Sequence, residues 1–236
     1  VCALGHLWAP GGDRGVFRSQ DGGATWDNIL KVDAATSCSD LAMTPDGSTL
    51  FTTTEGGDPS RLAAFDVAPE GGLTAASHVE VRGRAFCHLA ASPDRLYAAA
   101  YSSGSLAVVG VDGSTLGPTV ARHACEGSGP NPPRQKKPHA HQATLSPDGR
   151  WLYVCDLGSD RAWRHDTATP ACDLVGSTEL PAGAGPRHLA FHPTRPIVYV
   201  WCELRPMVVS FHHDATTGEL TDERAHDLEA DFGLEG

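Results

Sequence analysis

A pattern of short apolar strands joined by proline-containing turns occurs four times in this chain. The four copies cover residues 39–67, 87–112, 141–166 and 187–214. Each copy runs from an apolar strand through a turn with proline to a second apolar strand, a short polar turn and a third strand that ends near an aspartate. A single unit of this size cannot bury its faces alone, so repeated units of this kind are typical of the blades of a β-propeller.

The spacing and composition of the repeat predict an all-β chain. The turn prolines are 48, 54 and 46 residues apart, at Pro45, Pro93, Pro147 and Pro193. The apolar runs are short and rich in β-branched and aromatic residues, which favours strands. The 3.6-residue apolar periodicity of a helix is absent, and 26 Gly with 17 Pro interrupt helices throughout. Segments 66–76 and 214–223 follow third strands and are expected to lead into a fourth, outer strand.

The first 37 residues carry a different signal. Segment 15–30 contains the Asp-box pattern S-x-D-x-G-x-T-W, with Ser19, Asp21, Gly23 and Trp26 in place. This pattern predicts a hairpin turn in a propeller blade, in which the Asp and Ser bond the backbone and the Trp packs between strands. Residues 1–37 thus resemble a blade of an Asp-box repeat protein of the sortilin-like kind. We therefore expect an Asp-box segment over 1–37 and propeller blades over 38–236. Because the chain opens with Val1 inside a predicted strand, the natural N-terminus is expected upstream.

The composition argues against some classes of partner and favours one cellular compartment. A net charge of −11 argues against a nucleic acid or an acidic membrane as the partner, because both need basic surface. No apolar run approaches the ~20 residues of a membrane span, and no signal peptide is visible. The seven cysteines are odd in number and form no C-x-x-C pair, which favours reduced thiols and a cytoplasmic protein. No metal-binding pattern or phosphate-cradling loop is present, so neither a metal nor a cofactor is expected.

Equivalent positions of the repeat predict where polar side chains meet. The first strand of each blade lines the central channel of a propeller, so residues at its start should converge around one axis. Counting six residues back from each turn proline gives Ser39, Cys87, His141 and Arg187. His139 lies two residues before His141 and is expected on the same strand face.

Long motifs in the second half carry a family resemblance. These motifs are G-S-G-P-N-P with P-H-A-H, D-L-G-S-D-R, G-P-R-H-L-A-F-H-P and D-A-T-T-G-E-L. Over residues 38–236 the chain resembles the lactonase-type seven-bladed β-propellers, a family that includes bacterial 6-phosphogluconolactonases and fungal carboxymuconate cyclases. The resemblance implies a β-propeller, of which this chain would hold an incomplete set of about five blades of the seven-bladed type.

The resemblance also implies an active site. It assigns catalysis to one histidine of P-H-A-H, His139 or His141, to Arg187 and to Glu203. The family's set includes a further arginine from a later blade, which this chain lacks. Opening a lactone needs a base that activates water and a cation or donor that stabilises the developing oxyanion, tasks that suit histidine and arginine. The predicted function is a cofactor-free hydrolase of carbohydrate metabolism that opens a small anionic lactone, as a 6-phosphogluconolactonase does.

Two other functions remain open from the sequence. The same His, Arg and Glu would serve a cyclase that adds a substrate carboxylate across a double bond. The chain could also be a propeller without catalysis, which serves as a binding platform or is an incomplete fragment.

The sequence leaves structural interpretations open for several polar residues. Glu203 could form a surface ion pair with Arg205 or Arg161. The run R-Q-K-K at 134–137 is a basic patch beside P-H-A-H that could attract an anionic substrate, but its default interpretation is a solvated loop face. His188 directly follows the mouth position and is expected on the opposite side of its strand, where it would bond between blades.

Overall fold

The part of the chain that the structure describes forms five β-sheets in chain order, four of them with four strands. The computed structural model describes residues 2–4, 11–54 and 59–232. The first sheet has three strands in the order β1-β2-β3, with β1 at Cys2–Leu4, β2 at Arg14–Arg18 and β3 at Asp27–Leu30. Within each sheet the strands pair with their sequence neighbours, the meander expected of propeller blades.

The four-stranded sheets follow the predicted repeat. The second sheet contains β4 (Asp40–Met43), β5 (Thr49–Thr53), β6 (Ser60–Val67) and β7 (Leu73–Val81). The third contains β8 (Phe86–Ala91), β9 (Arg95–Ala100), β10 (Ser105–Asp112) and β11 (Thr115–Ala124). The fourth contains β12 (Ala140–Leu145), β13 (Trp151–Asp156), β14 (Arg161–Asp166) and β15 (Asp173–Glu179). The fifth contains β16 (Pro186–Phe191), β17 (Ile197–Cys202), β18 (Met207–His213) and β19 (Leu220–Asp227).

These strands confirm the all-β prediction, including the fourth, outer strand of each repeat. The described residues also contain one short helix, α1 (Leu228–Phe232). Within the described ranges, no helix has the length and apolar character that crossing a bilayer requires.

The chain divides into two compact units. The first comprises residues 1–98 with 109–119, and the second comprises residues 99–108 with 120–236. The core of the first unit forms where the three-stranded sheet meets the second sheet, around Val16, Leu50 and Phe65.

The core of the second unit lies between the fourth and fifth sheets. Strand β13 is buried along its whole length. Its Tyr153 packs with Val198, Val200 and Phe211 of the fifth sheet. Strands β12 and β16, which begin their respective sheets, also contact each other. This packing brings the starts of two equivalent strands side by side, and the predicted site residues His141 and Arg187 lie there.

The Asp-box hairpin has the predicted backbone contacts. The Asp21 carboxylate accepts the Thr25 N–H at 2.9 Å, and the Ser19 hydroxyl accepts the N–H of Gly23 at 2.8 Å. Gly23 has a φ of +97°, a conformation that residues with a side chain rarely adopt. The Trp26 side chain differs from the expectation that it packs between strands. It remains 46% exposed, because its indole N–H turns back to the Gly23 carbonyl at 3.0 Å.

A buried hydrogen bond from Tyr153 joins the fourth sheet to the fifth, and its loss should destabilise the protein. The Tyr153 hydroxyl donates to the Gly218 carbonyl at 2.5 Å. Tyr153→Phe should lower the free energy of unfolding by about 1–2 kcal/mol, because the carbonyl would stay buried without this donor. Chemical denaturation measures the change. Tyr199→Phe is the control, since Tyr199 is 37% exposed, and an equal loss in both variants would contradict the prediction.

Candidate active site

The two predicted mouth residues each occupy a β-bulge at the start of a first strand. In the β12–β13 pair the register shifts between Ala140 and Gln142, which leaves His141 as the extra residue. In the β16–β17 pair it shifts between Pro186 and His188, which leaves Arg187 as the extra residue. A bulge bends its strand and changes the direction of the bulged side chain. Equivalent bulges in neighbouring sheets therefore turn both side chains toward the same place.

Three of the four predicted site residues meet at this place. Arg187 Nε lies 3.0 Å from His141 Nε2, to which it donates, and 3.3 Å from Glu203 Oε2. The distance from His141 Nε2 to Glu203 Oε2 is 4.0 Å. Glu203 directly follows β17, and its backbone N–H donates to the Gly185 carbonyl at 2.8 Å, which fixes its position beside the start of β16.

Two residues that were not predicted complete the cluster. Arg134 Nη2 donates to Glu203 Oε1 at 2.5 Å and to the Tyr101 hydroxyl at 3.3 Å. The Glu203 carboxylate therefore lies between two guanidinium groups, each contacting a different oxygen. Both arginine side chains remain more than 40% exposed, so a solute can reach them. We call Tyr101, Arg134, His141, Arg187 and Glu203 the site cluster.

His139 joins the site cluster only through Tyr101. Its ring stacks on the Tyr101 ring with centroids 4.4 Å apart, and its Nδ1 lies 3.1 Å from the Tyr101 carbonyl oxygen. The His141 ring meets the edge of the same Tyr101 ring at 5.6 Å. The two histidines of P-H-A-H thus contact the same aromatic ring but have different hydrogen-bond partners.

The His141 imidazole is electrically neutral at neutral pH. Burial, followed by repulsion from Arg187 and His188, lowers its pKa to about 4, and the Glu203 carboxylate offsets only part of this effect. Because Nε2 accepts the Arg187 N–H, we assign the ring proton to Nδ1. The arrangement supplies a neutral imidazole lone pair beside a carboxylate and two cations.

Asp156, in the D-L-G-S-D-R motif, holds the P-H-A-H segment in position. This fully buried carboxylate accepts the N–H of His139 at 2.6 Å and the N–H of Gly158 at 3.0 Å. A Cβ added to Gly158 would lie 1.9 Å from the Lys137 carbonyl oxygen. Only glycine allows the two segments to approach this closely. The motif is therefore a support for the site rather than part of its reactive surface.

The structure corrects three expectations. Glu203 pairs with Arg134 and Arg187, whereas Arg205 contacts Asp227 and Arg161 contacts Glu179. The R-Q-K-K run is not a uniformly solvated face, because its first residue enters the site cluster and its second is fully buried. The His188 ring lies 5.4 Å from the His141 ring instead of facing away, because the bulge at Arg187 breaks the simple alternation of the strand.

The rest of the described ranges provides a cavity but no group of side chains for a metal ion. A cavity of about 380 Å³ in the first unit is lined by Val16, Leu30, Phe65 and other residues, none of which belongs to the site cluster. Among the described residues, no group of three His, Cys, Asp or Glu side chains is arranged to hold a metal ion.

The comparisons with known proteins identify the class. The family described as "Lactonase, 7-bladed beta-propeller" matches residues 15–234, so this chain belongs to that family of β-propellers. Its curated relatives include a 6-phosphogluconolactonase of Bacillus subtilis, 31% identical over 76% of this chain and 52% of the relative. Another is a 6-phosphogluconolactonase of Pectobacterium carotovorum, 30% identical over 72% of this chain and 49% of the relative. The chain thus spans about half the length of these relatives.

A solved structure supports the same fold. The periplasmic gluconolactonase of Pseudomonas aeruginosa superposes with a TM-score of 0.83 at 26% identity, over 100% of this chain and 69% of that protein. The predicted propeller and the predicted family are confirmed. The division of the chain at residue 37 and the roles of the four site residues stay predictions.

Proposed function

We propose that the site cluster opens a sugar-acid lactone with an anionic group, of which 6-phosphogluconolactone is the type. The observation that carries this proposal is the contact of a neutral imidazole with a guanidinium at 3.0 Å, beside a carboxylate that lies between two arginines. A base and a preorganised cation are the two groups that ester hydrolysis requires. The curated relatives named 6-phosphogluconolactonase support the substrate class.

In the proposed reaction His141 is the base. An entering substrate draws Arg187 toward its carbonyl oxygen or its anionic group, which frees the Nε2 lone pair of His141. That lone pair takes a proton from water as the water oxygen bonds the carbonyl carbon. The guanidinium stabilises the oxyanion of the tetrahedral intermediate. The ring C–O bond then breaks, and the leaving oxygen takes the proton back from His141, which yields a carboxylic acid and a hydroxyl group.

Arg134 and Glu203 have supporting roles in this proposal. Arg134 holds the anionic group of the substrate, since a guanidinium offers paired donors to a phosphate or carboxylate. Glu203 orients both guanidinium groups before substrate binds, and its charge stabilises the imidazolium that forms on His141. His139 keeps the Tyr101 ring in place. Arg134 can thus supply a second arginine from within this chain.

The test is direct turnover by the purified protein. Opening 6-phosphoglucono-1,5-lactone releases a proton at pH 7, which an indicator dye records against the spontaneous rate. Glucono-1,5-lactone is the matched substrate without the phosphate, and we expect a higher KM for it. Loss of muconate absorbance without any lactone opening would instead assign the protein to cyclase chemistry. No turnover of either substrate would contradict the proposal and favour a binding platform.

The pH profile should report the lowered pKa of His141. Because catalysis needs the neutral ring, kcat/KM, which reports the pKa values of the free enzyme, should be flat between pH 5 and pH 7 and fall below about pH 4, the pKa of His141. An imidazole of ordinary pKa would already lose activity below about pH 6.5. Initial rates from pH 3 to pH 7 with glucono-1,5-lactone, which has no titrating phosphate, at substrate concentrations below KM, distinguish the two. A midpoint near pH 6.5 would show that His141 in its present surroundings is not the base.

We also propose a cytoplasmic location. Six cysteines among the described residues are free thiols, including the buried Cys38, Cys155 and Cys202, and free thiols persist in reducing compartments. Cell fractionation tests this, and recovery of the protein in the periplasm would contradict it.

A further inference from the structure

We propose that Asp160 is the positioning residue of the site cluster: one buried carboxylate fixes the loops that carry Arg134, Arg187 and Glu203. The catalytic consequences rest on the function proposed above, whereas the positioning itself does not. Asp160 contacts none of the reacting groups and acts through backbone and side-chain hydrogen bonds.

The first connection leads to Arg187 and Glu203. Asp160 Oδ2 accepts the Gly183 N–H at 2.7 Å, and Oδ1 accepts the Gly185 N–H at 2.8 Å. Arg187 lies two residues after Gly185, across Pro186. The carbonyl of the same Gly185 accepts the backbone N–H of Glu203 at 2.8 Å. A shift of this loop would therefore move the guanidinium of Arg187 and the carboxylate of Glu203 together.

The second connection leads to Arg134. Asp160 Oδ1 also accepts a hydrogen bond from Gln135 Nε2 at 2.7 Å. The Gln135 side chain is fully buried, and it further donates to the Leu157 carbonyl at 2.9 Å and accepts the Asn131 N–H at 3.1 Å. These bonds fix the backbone of the neighbouring Arg134, whose side chain extends to Glu203.

The backbone conformation of Asp160 indicates that its carboxylate is needed at this position despite the strain. Its φ is +52°, in the left-handed region where a residue with a side chain is strained by about 1 kcal/mol or more, and glycine is not. Asp160 is 94% buried, and its carboxylate accepts three N–H groups from two separate segments. Strain of this kind persists only where the surroundings fix the conformation.

Asp160→Asn tests the proposal, because the new amide would direct a donor at groups that are themselves donors. We expect kcat/KM to fall about 10- to 100-fold, the loss associated with a displacement of about 1 Å in a site. Asp222→Asn is the matched control. Asp222 has a φ of +54° in the exposed strand β19, so the change has the same chemistry and backbone without links to the site. An equal loss in both variants would overturn the proposal.

A measurement independent of turnover separates the two proposals. The His141 ring can be titrated by NMR in the variant and in the unmodified protein. Since burial and Arg187 hold this pKa near 4, loosening of the loops in Asp160→Asn should raise it toward the ordinary value. If the protein opens no lactone, the function fails while a raised pKa still supports the positioning role. An unchanged pKa with only a lowered melting temperature would show a merely structural aspartate and overturn it.

Three further variants extend the test. If Asp160→Asn does not fold, Asp160→Gly replaces it in the titration, since glycine removes the carboxylate and accepts the left-handed backbone without strain. Gln135→Met breaks only the connection to Arg134. If Gln135 acts through Arg134, the two losses in kcat/KM should not add in a double-mutant cycle with Arg134→Met. Additive losses would overturn this second connection.

Discussion

Replacing His141 with asparagine should lower kcat for lactone opening by about 10²- to 10⁴-fold, the range that a positioned acid–base group contributes. His141 has a buried, neutral ring whose Nε2 lies 3.0 Å from Arg187 Nε and 4.0 Å from Glu203 Oε2. Asparagine keeps a polar acceptor for Arg187 but cannot take up a proton. KM should change little, because both arginines remain to hold the anionic substrate. Initial rates above the spontaneous background measure the effect.

Two other histidines serve as references. His226→Asn, on the exposed outer strand β19, should have the activity of the unmodified protein. His139→Asn should lower kcat less than tenfold, because His139 Nδ1 faces the Tyr101 carbonyl and its ring supports the Tyr101 ring. If His139→Asn has the larger effect, the assignment of the base to His141 is wrong.

The repeat in the sequence was sufficient to predict the sheets and the meeting of His141 with Arg187. Both residues lie at the same count before a turn proline, so one repeated geometry brings them to equivalent places. The alternation of strand side chains did not predict the contact between His188 and His141. The reason is the bulge at Arg187, which inserts one residue and resets the alternation, and no residue pattern in G-P-R-H signals it.

Arg134 and Tyr101 were missed for a different reason. Arg134 belongs to an irregular loop, where neither periodicity nor repeat position fixes the direction of a side chain. Its place depends on the buried Gln135, whose partners are as far away in the sequence as Asp160. The sequence contained one indication of this position, since Gln135, between Arg134 and P-H-A-H, could be interpreted as a residue that fixes the loop. Tyr101 follows the second strand of another repeat, which nothing in the local sequence relates to the histidines.

Glu203→Gln should lower kcat about 100-fold and should also lower KM for the phosphorylated lactone. The first effect follows because the imidazolium of His141 would lose the carboxylate 4.0 Å away that stabilises it, an electrostatic contribution of this order in enzyme sites. KM should fall because Arg134 and Arg187 would lose the Glu203 carboxylate and become free to bind the anionic group of the substrate. A joint fall in kcat and KM is expected when the removed group competed with the substrate's anion for the arginines in the ground state and stabilised the transition state.

Glu179→Gln is the matched control for this variant. Glu179 pairs with Arg161 at 2.5 Å as Glu203 pairs with Arg134, but its side chain is 73% exposed at the end of β15. Its loss should leave kcat and KM unchanged, since an exposed ion pair contributes little. The His141 titration provides a second readout for Glu203→Gln. Because Glu203 raises the pKa of His141, its removal should shift the midpoint below about 4 and extend the flat part of the rate profile to lower pH. An unchanged kcat, or a midpoint that rises, would contradict the role assigned to Glu203.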